Sequence, residues 1–164
     1  MLLTGFGAFS NIDPNPSSIL VNYFPEHEVI PVSMSAVDLF LKKKVFAKQI
    51  HFGVNDTSDK ITIETCAYNE KNFRISDIDG ITANGEIIEG GFKILETKFN
   101  LSSIIESDLI QFSNDPGRFV CNYLYYKSLM NSRGNSLFIH IPPFEKIPLN
   151  IQINVIREIL ASIE

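Results

Sequence analysis

Apolar residues in the second half of the chain recur first with a helical and then with a strand-like pattern. One helix face is spaced at i, i+4, i+7 and i+11: Phe119, Tyr123, Tyr126 and Met130. Asp115 and Pro116 stand just before it and are typical of a helix start, because Asp caps well and proline lacks a donor that is not needed there. The apolar run at 136–141 then predicts a buried strand, ended by two prolines.

The rest of the chain alternates between the same two patterns. Short runs rich in β-branched and aromatic residues predict further strands at 1–4, 28–32, 48–54, 61–68 and 109–113. Helices are predicted at 17–24 with Ser17 or Ser18 as the cap, at 36–46, and, as a short helix at most, at 101–106. The closing helix has a clear apolar face: Leu149, Ile153, Ile156, Leu160 and Ile163. The polar segment 69–91 is broken by Gly and Asn and is predicted to be irregular.

This alternation predicts an α/β fold: a three-layer α/β/α sandwich around a mostly parallel open sheet, in a single domain over 1–164. The helix that begins near Cys121 leads into the strand that contains His140. In a parallel sheet, a helix start and the carboxyl end of the following strand lie at the same edge, where ligands bind. Cys121 and His140 are therefore predicted to be neighbours, as a nucleophile and its base would be.

Composition narrows the class of protein. The net charge of −5 argues against nucleic acid or an anionic membrane as a main partner, since both require a basic face. Two cysteines fit a reduced compartment, although a Cys66–Cys121 disulfide is conceivable. The sequence presents no basic leader and no long apolar segment, so a cytoplasmic protein is expected.

Three further features are weaker candidates for function. The segment 5–10 begins like a dinucleotide-binding fingerprint, but its sixth position is Ser10 and no helix can follow at once. Phe6 and Phe9 would instead stand at the ligand edge, as loop packing or as a pocket wall. His51 lies in an apolar strand and could be a ligand, but a satisfied core or edge residue is the expectation. Glu64 and Cys66 share one face of the predicted strand 61–68.

Five segments together resemble the pyroglutamyl peptidase I (pyrrolidone-carboxylate peptidase) family. They match that family's motifs in order, at 4–9 with 15–17, at 61–69, at 73–77, at 119–124 and at 138–142. Two short segments depart from the family pattern. Asp56–Ser58 stands where the family has Gly-Gly-Arg, and Asp115–Gly117 stands where it has Thr-Ala-Gly.

The resemblance implies a cysteine peptidase that removes an N-terminal pyroglutamyl residue from peptides through a thioester. Cys121 would be the nucleophile, His140 the general base and Glu64 the carboxylate that orients the imidazole. Arg74 and the backbone N–H of Cys121 would stabilise the oxyanion. The residues implied to bind substrate are Phe6, Phe9, Phe119, Val120 and Asn15. The family further implies no cofactor, no metal, and a homodimer or homotetramer.

Two alternatives stay open at the level of the sequence. One is a relative that binds a pyroglutamate-like ligand without turnover, which the replaced Gly-Gly-Arg segment favours and the intact Cys–His–Glu set disfavours. The other is a cysteine hydrolase that acts on a different small cyclic or acylated amide.

Overall fold

The structure is a computed structural model and describes residues 1–43 and 48–163. Within these ranges there are four helices: α1 (Pro16–Val21), α2 (Met34–Lys43), α3 (Val120–Asn131) and α4 (Leu149–Ile163). Six strands form the central sheet: β1 (Leu2–Phe6), β2 (His27–Ile30), β3 (Gln49–Val54), β4 (Ile61–Glu64), β9 (Ile110–Ser113) and β10 (Ser136–Ile141). Two small ribbons pair the remaining strands: β5 (Cys66–Tyr68) with β8 (Ile94–Glu96), and β6 (Lys71–Asn72) with β7 (Asn84–Gly85).

The central sheet is mostly parallel, as the sequence predicts. Its strand order is β2-β1-β3-β10-β4-β9, and every neighbouring pair is parallel except β10 with β4. The antiparallel pairing sets Phe138 opposite Glu64 and His140 opposite Thr62. Strand β4 therefore ends beside the middle of β10, and Glu64 comes close to His140.

Helices cover both faces of the sheet and confirm the three-layer α/β sandwich. Helices α1 and α4 pack on one face, against Ile50, Phe52, Leu137 and Ile139. Helices α2 and α3 pack on the other, against Phe138 and Phe6. Burial of these aliphatic and aromatic side chains on both faces is the main source of stability for such a sheet.

Several element boundaries differ from the predicted ones. Helix α3 begins at Val120 rather than at Asp115–Pro116, and its N-cap is Phe119, whose side chain makes no capping bond. Asn15, not Ser17 or Ser18, caps α1, because its Oδ1 accepts the hydrogen bond of the Ser17 N–H. The predicted strand 61–68 breaks at Thr65, so Glu64 and Cys66 belong to different sheets.

Other boundaries fall close to the expected ones. The closing helix is confirmed at Leu149–Ile163. Residues 101–106 form a turn rather than a helix, and the polar segment 69–91 contains only the short strands β6 and β7. The predicted helix 36–46 is observed as Met34–Lys43, and its last predicted residues, within 44–47, lie outside the described residues. Within 1–43 and 48–163, no helix has both the length and the apolar character that crossing a membrane requires.

Candidate active site

Alternation along two neighbouring strands, β10 and β4, places His140 and Glu64 on the face covered by α3. Ile139 and Ile141 of β10 point to the α1/α4 side, so Phe138 and His140 point to the α3 side. The same rule places Glu64 of β4 on the α3 side, because Ile61 and Ile63 lie in the opposite core. Because side chains alternate between the two faces of a strand, the His140 imidazole and the Glu64 carboxylate both point toward α3.

Cys121 occupies the second position of α3, which begins at the carboxyl edge of β10. Backbone N–H groups in the first turn of a helix have no intrahelical acceptor, and the helix dipole is positive there. Both effects favour negative charge at this end of a helix. Cys121 is partly exposed and is a free cysteine. Its sulfur is therefore accessible from solvent at the start of the helix.

The side chains of Cys121, His140 and Glu64 lie together, with the imidazole in the middle. The imidazole of His140 is buried, with its Nδ1 atom 2.8 Å from Oε1 of Glu64. On its other side the imidazole faces the side chain of Cys121. Burial alone would lower the pKa of His140, but its interactions with Cys121 and Glu64 raise it to about 9. At neutral pH the His140 imidazole is therefore protonated.

A glycine makes room for the cysteine sulfur. Gly53 of β3 pairs directly with His140 of β10. A Cβ atom at residue 53 would lie 2.9 Å from Sγ of Cys121, closer than real Cβ contacts allow. Glycine inside a strand often marks such a close approach. The sequence analysis did not single out Gly53, although its place inside an apolar strand was the available signal.

Arg118 holds the loop before α3 in place through contacts with three side chains. Arg118 donates from Nε to Glu70 at 2.9 Å and from Nη1 to Asp115 at 2.7 Å, and its guanidinium lies 3.9 Å from the centre of the Tyr68 ring. Asp115 also accepts the N–H of Gly117, whose φ is +78°. Asp115–Gly117 therefore forms a side-chain-stabilised turn ahead of the helix, in place of the helix start that was predicted there.

Three aromatic rings lie next to one another at the start of α3. The ring of Phe119 is 5.3 Å from that of Phe9 and 4.7 Å from that of Phe73, centre to centre. Phe9 and Phe119 are partly exposed, whereas Phe73 is buried. Phe6 is also buried and packs in the α2/α3 core. Phe73, which had no predicted role, thus joins the partly exposed apolar group beside Cys121.

The other predicted substrate-binding side chains are engaged elsewhere. Asn15 donates to the Gly7 carbonyl at 3.0 Å and accepts from Ser17, so it holds the loop after β1. The side chain of Val120 is fully buried in the core, which leaves only its backbone to meet a ligand.

Arg74, the predicted oxyanion donor, is exposed and lines a cavity of about 620 Å³ together with Phe119. Across 1–43 and 48–163, no hydrogen bond or ion pair joins Arg74 to another residue.

Two titratable groups outside this series are structural. His51 is completely buried and bonded through Nδ1 to Thr4 and through Nε2 to Ser128, each at 2.7 Å. Burial lowers its pKa to about 3, so it stays neutral, as expected of a satisfied core histidine. Cys66 is a free, buried thiol that contacts the carbonyl of Asn114, so the conceivable disulfide with Cys121 is not formed.

A sequence profile described as "Pyroglutamyl peptidase" matches residues 1–155. The chain belongs to the pyroglutamyl peptidase family. Pyroglutamyl-peptidase 1 of Mus musculus is 25% identical over 167 residues, which cover 89% of this chain and 80% of that protein. Pyrrolidone-carboxylate peptidase of Staphylococcus aureus is 30% identical over 165 residues, covering 87% and 78%.

A solved structure of this family has the same fold. Pyrrolidone carboxyl peptidase from Thermus thermophilus superposes with a TM-score of 0.87 at 25% identity, and the match covers 98% of each chain. The family resemblance expected from the five sequence segments is thereby confirmed. Pyroglutamyl peptidases of this family are cysteine-type omega peptidases, and nothing in the comparisons favours a relative without turnover.

Proposed function

We propose that Cys121, His140 and Glu64 act as one catalytic group that removes an N-terminal pyroglutamyl residue from peptides. The observation that supports this most is the continuous series of contacts from the Cys121 thiol through the His140 imidazole to the buried Glu64 carboxylate, in a chain of the pyroglutamyl peptidase family. The order of groups is nucleophile, base and orienting carboxylate.

The first half-reaction forms a thioester. The Cys121 thiolate attacks the carbonyl carbon of the pyroglutamyl residue, a C–S bond forms, and the carbonyl oxygen becomes an oxyanion. The imidazolium of His140 then gives its proton to the leaving nitrogen as the C–N bond breaks. The shortened peptide departs with a free amino group, and His140 is left neutral.

The second half-reaction reverses these roles. Neutral His140 takes a proton from water, and the resulting hydroxide attacks the thioester carbon. The C–S bond breaks and the sulfur leaves as a thiolate, so free pyroglutamate is released and the thiolate–imidazolium pair is restored. Glu64 accepts the Nδ1–H of His140 throughout, which fixes the ring with Nε2 free for proton transfer.

Oxyanion stabilisation is assigned to two groups. The N–H of Cys121 lies in the first turn of α3, where helix N–H groups are free to donate. Arg74 is assigned as the second, positively charged donor; its exposed side chain lines a cavity together with Phe119, two residues before Cys121. A positive charge near the developing oxyanion lowers the barrier more than it stabilises the neutral substrate.

The flat, uncharged lactam ring of the substrate fits an apolar aromatic wall better than a charged amino terminus would. Phe9 and Phe119 present partly exposed rings at the start of α3, with Phe73 behind them. Aromatic faces favour planar apolar groups, whereas burying an ammonium group there without a partner is costly. The buried Phe6 belongs to the same hydrophobic cluster as these rings. A homodimeric or homotetrameric assembly and a cytoplasmic location stay predictions.

The test is a comparison of three peptides that differ only in the first residue: pyroglutamate, glutamine or proline. The proposal predicts release of free pyroglutamate and of the shortened peptide, both identified by mass spectrometry, from the first peptide alone. Release of N-terminal glutamine or proline at a similar rate would contradict the substrate assignment. Absence of any release from a folded protein with an intact Cys121 would contradict the proposed reaction.

A further inference from the structure

Tyr125 connects the helix that contains Cys121 to the strand that contains Glu64. It lies four residues after Cys121 in α3 and is completely buried. Its hydroxyl donates a 2.9 Å hydrogen bond to the main-chain carbonyl of Glu64. Residues four apart share one face of a helix, so the nucleophile and this tyrosine face the sheet together.

The ring of Tyr125 also packs toward the third catalytic element. It lies 5.8 Å from the ring of Phe138, which in turn lies 4.8 Å from the imidazole of His140. Phe138 pairs directly with Glu64 across the β4–β10 ladder. Tyr125 therefore belongs to α3, is hydrogen-bonded to β4 and packs against Phe138 of β10, the three elements that contain the catalytic side chains.

The Glu64 carboxylate depends on this support because it has few contacts of its own. Its Oε1 atom is bonded to His140, while Oε2 is buried and, among the described residues, has no hydrogen-bond partner. A carboxylate held by several donors would keep its orientation even if its backbone shifted. Here the direction of the carboxylate depends on the position of the β4 backbone at Glu64. Tyr125 is hydrogen-bonded to the main-chain carbonyl of that same residue.

We propose that Tyr125 is a positioning residue for the reaction, which fixes the end of β4 and thereby aims the Glu64 carboxylate at His140. The proposal rests on the catalytic group described above. Loss of the hydroxyl frees the Glu64 backbone, lengthens the Glu64–His140 contact and leaves the imidazole less well oriented toward Cys121. Displacements of this kind reduce the chemical step much more than they reduce binding.

Few titratable groups surround this arrangement. His140 is faced by Cys121 from α3 and by Glu64 from β4, while Cys66 lies near Glu64 and Tyr125. Burial raises the pKa of the Tyr125 hydroxyl well above its usual range, so it remains a donor at every pH at which the enzyme is stable. A change in the pH profile after its removal therefore reports on His140 and not on ionisation of the tyrosine itself.

The chain offers a closely matched control. Tyr126 is the next residue of α3, is equally buried, and donates from its hydroxyl to a main-chain carbonyl, that of Phe92 at 2.7 Å. Tyr125→Phe and Tyr126→Phe thus remove the same kind of bond from the same helix, one at the catalytic group and one away from it. A purely structural role predicts equal consequences for both.

The experiment measures kcat, KM and the alkaline limb of the pH profile for both variants, together with thermal unfolding. Tyr125→Phe is expected to lower kcat roughly tenfold or more with little change in KM. Its alkaline limb should move to lower pH, because a weaker Glu64 contact raises the pKa of His140 less. Tyr126→Phe should keep the original kcat and limb while losing a similar amount of thermal stability.

Equal kcat values and an unmoved limb in both variants would overturn the proposal, as would a loss confined to KM. A parallel readout does not need turnover: the rate at which iodoacetamide alkylates Cys121, followed by mass spectrometry across the same pH range. A protein without peptidase activity whose alkylation profile shifts only in Tyr125→Phe would refute the proposed reaction and retain the positioning role. An active enzyme with identical alkylation profiles in both variants would refute the positioning role alone.

Discussion

Gly53 faces Cys121 across a gap that has no room for a side chain. A Cβ atom at residue 53 would stand 2.9 Å from Sγ of Cys121 and 2.9 Å from Cζ of Phe138. The sulfur of Cys121 therefore packs against the main chain of β3 at Gly53, the residue that pairs with His140. Any atom added there must move either the sulfur or the Phe138 ring on which the imidazole packs.

Gly53→Ala is expected to displace the thiol and lower kcat by about ten- to a hundredfold, because small misplacements of reacting groups are costly. Overpacking should also destabilise the fold by about 1–3 kcal/mol. Activity and thermal unfolding measure the two effects. Gly7→Ala is the stability control, since its Cβ would approach other atoms no closer than 3.8 Å. Full activity in Gly53→Ala would show that the sulfur is not held where the structure places it.

The pH dependence of the reaction should show an alkaline limb set by His140. Its pKa of about 9 predicts that kcat/KM falls as the imidazolium loses its proton above that pH. Glu64→Gln removes the charge that helps to raise this pKa, so the limb should move to lower pH and kcat should fall. Asp38→Asn, which removes a carboxylate paired with Lys127 between α2 and α3, should leave the limb in place. An alkaline limb that does not respond to Glu64→Gln would contradict the assigned contact.

Acid should destabilise the protein through His51. Burial lowers the pKa of this residue from 6.5 to about 3, so the unfolded chain binds the proton first. Stability contributed by neutral His51 is complete above pH 6.5 and is lost progressively as the pH falls toward 3. The full effect is on the order of a few kcal/mol. Denaturant unfolding between pH 7.5 and 4.5 measures it, and a free energy of unfolding that is constant across this range would refute the prediction.

Arg74→Met tests the second oxyanion donor. Loss of a charged donor at a developing oxyanion typically lowers kcat by about a hundredfold or more. The expected result is a fall in kcat with a smaller change in KM. Arg157→Met, on the outer side of α4 and far from Cys121, is the matched control and should keep full activity. If KM alone rises in Arg74→Met, the arginine binds substrate and does not stabilise the transition state.

The sequence was sufficient for the fold class and for the proximity of Cys121 and His140, because both follow from periodicity and from the direction of strands in a parallel sheet. It failed at the start of α3, where Asp115 and Pro116 have the chemistry of a helix cap. Asp115 instead lies in a turn, where it accepts a hydrogen bond from Arg118. Arg118 is itself held by Glu70 and by the Tyr68 ring, which are distant in sequence. Tertiary contacts of this kind override a local signal.

Side-chain roles near the site were harder to predict for the same reason. The period-two pattern of 61–68 predicted that Glu64 and Cys66 share one face, but it did not reveal the break at Thr65, which separates them. Gly53, Phe73 and Tyr125 owe their importance to partners on other elements. A single sequence without neighbours in space gives little reason to choose them over other glycines and aromatic residues.

Cleavage of a fluorogenic pyroglutamyl amide by Cys121→Ser, compared with Cys66→Ser, tests the central claim most directly. The account predicts that Cys121→Ser loses activity by roughly a thousandfold or more, since an oxygen nucleophile is not activated by this group. Cys66→Ser, which keeps a donor toward the Asn114 carbonyl, should retain most of its activity. Comparable activity in both folded variants would contradict a cysteine mechanism at Cys121, and with it the role assigned to His140 and Glu64.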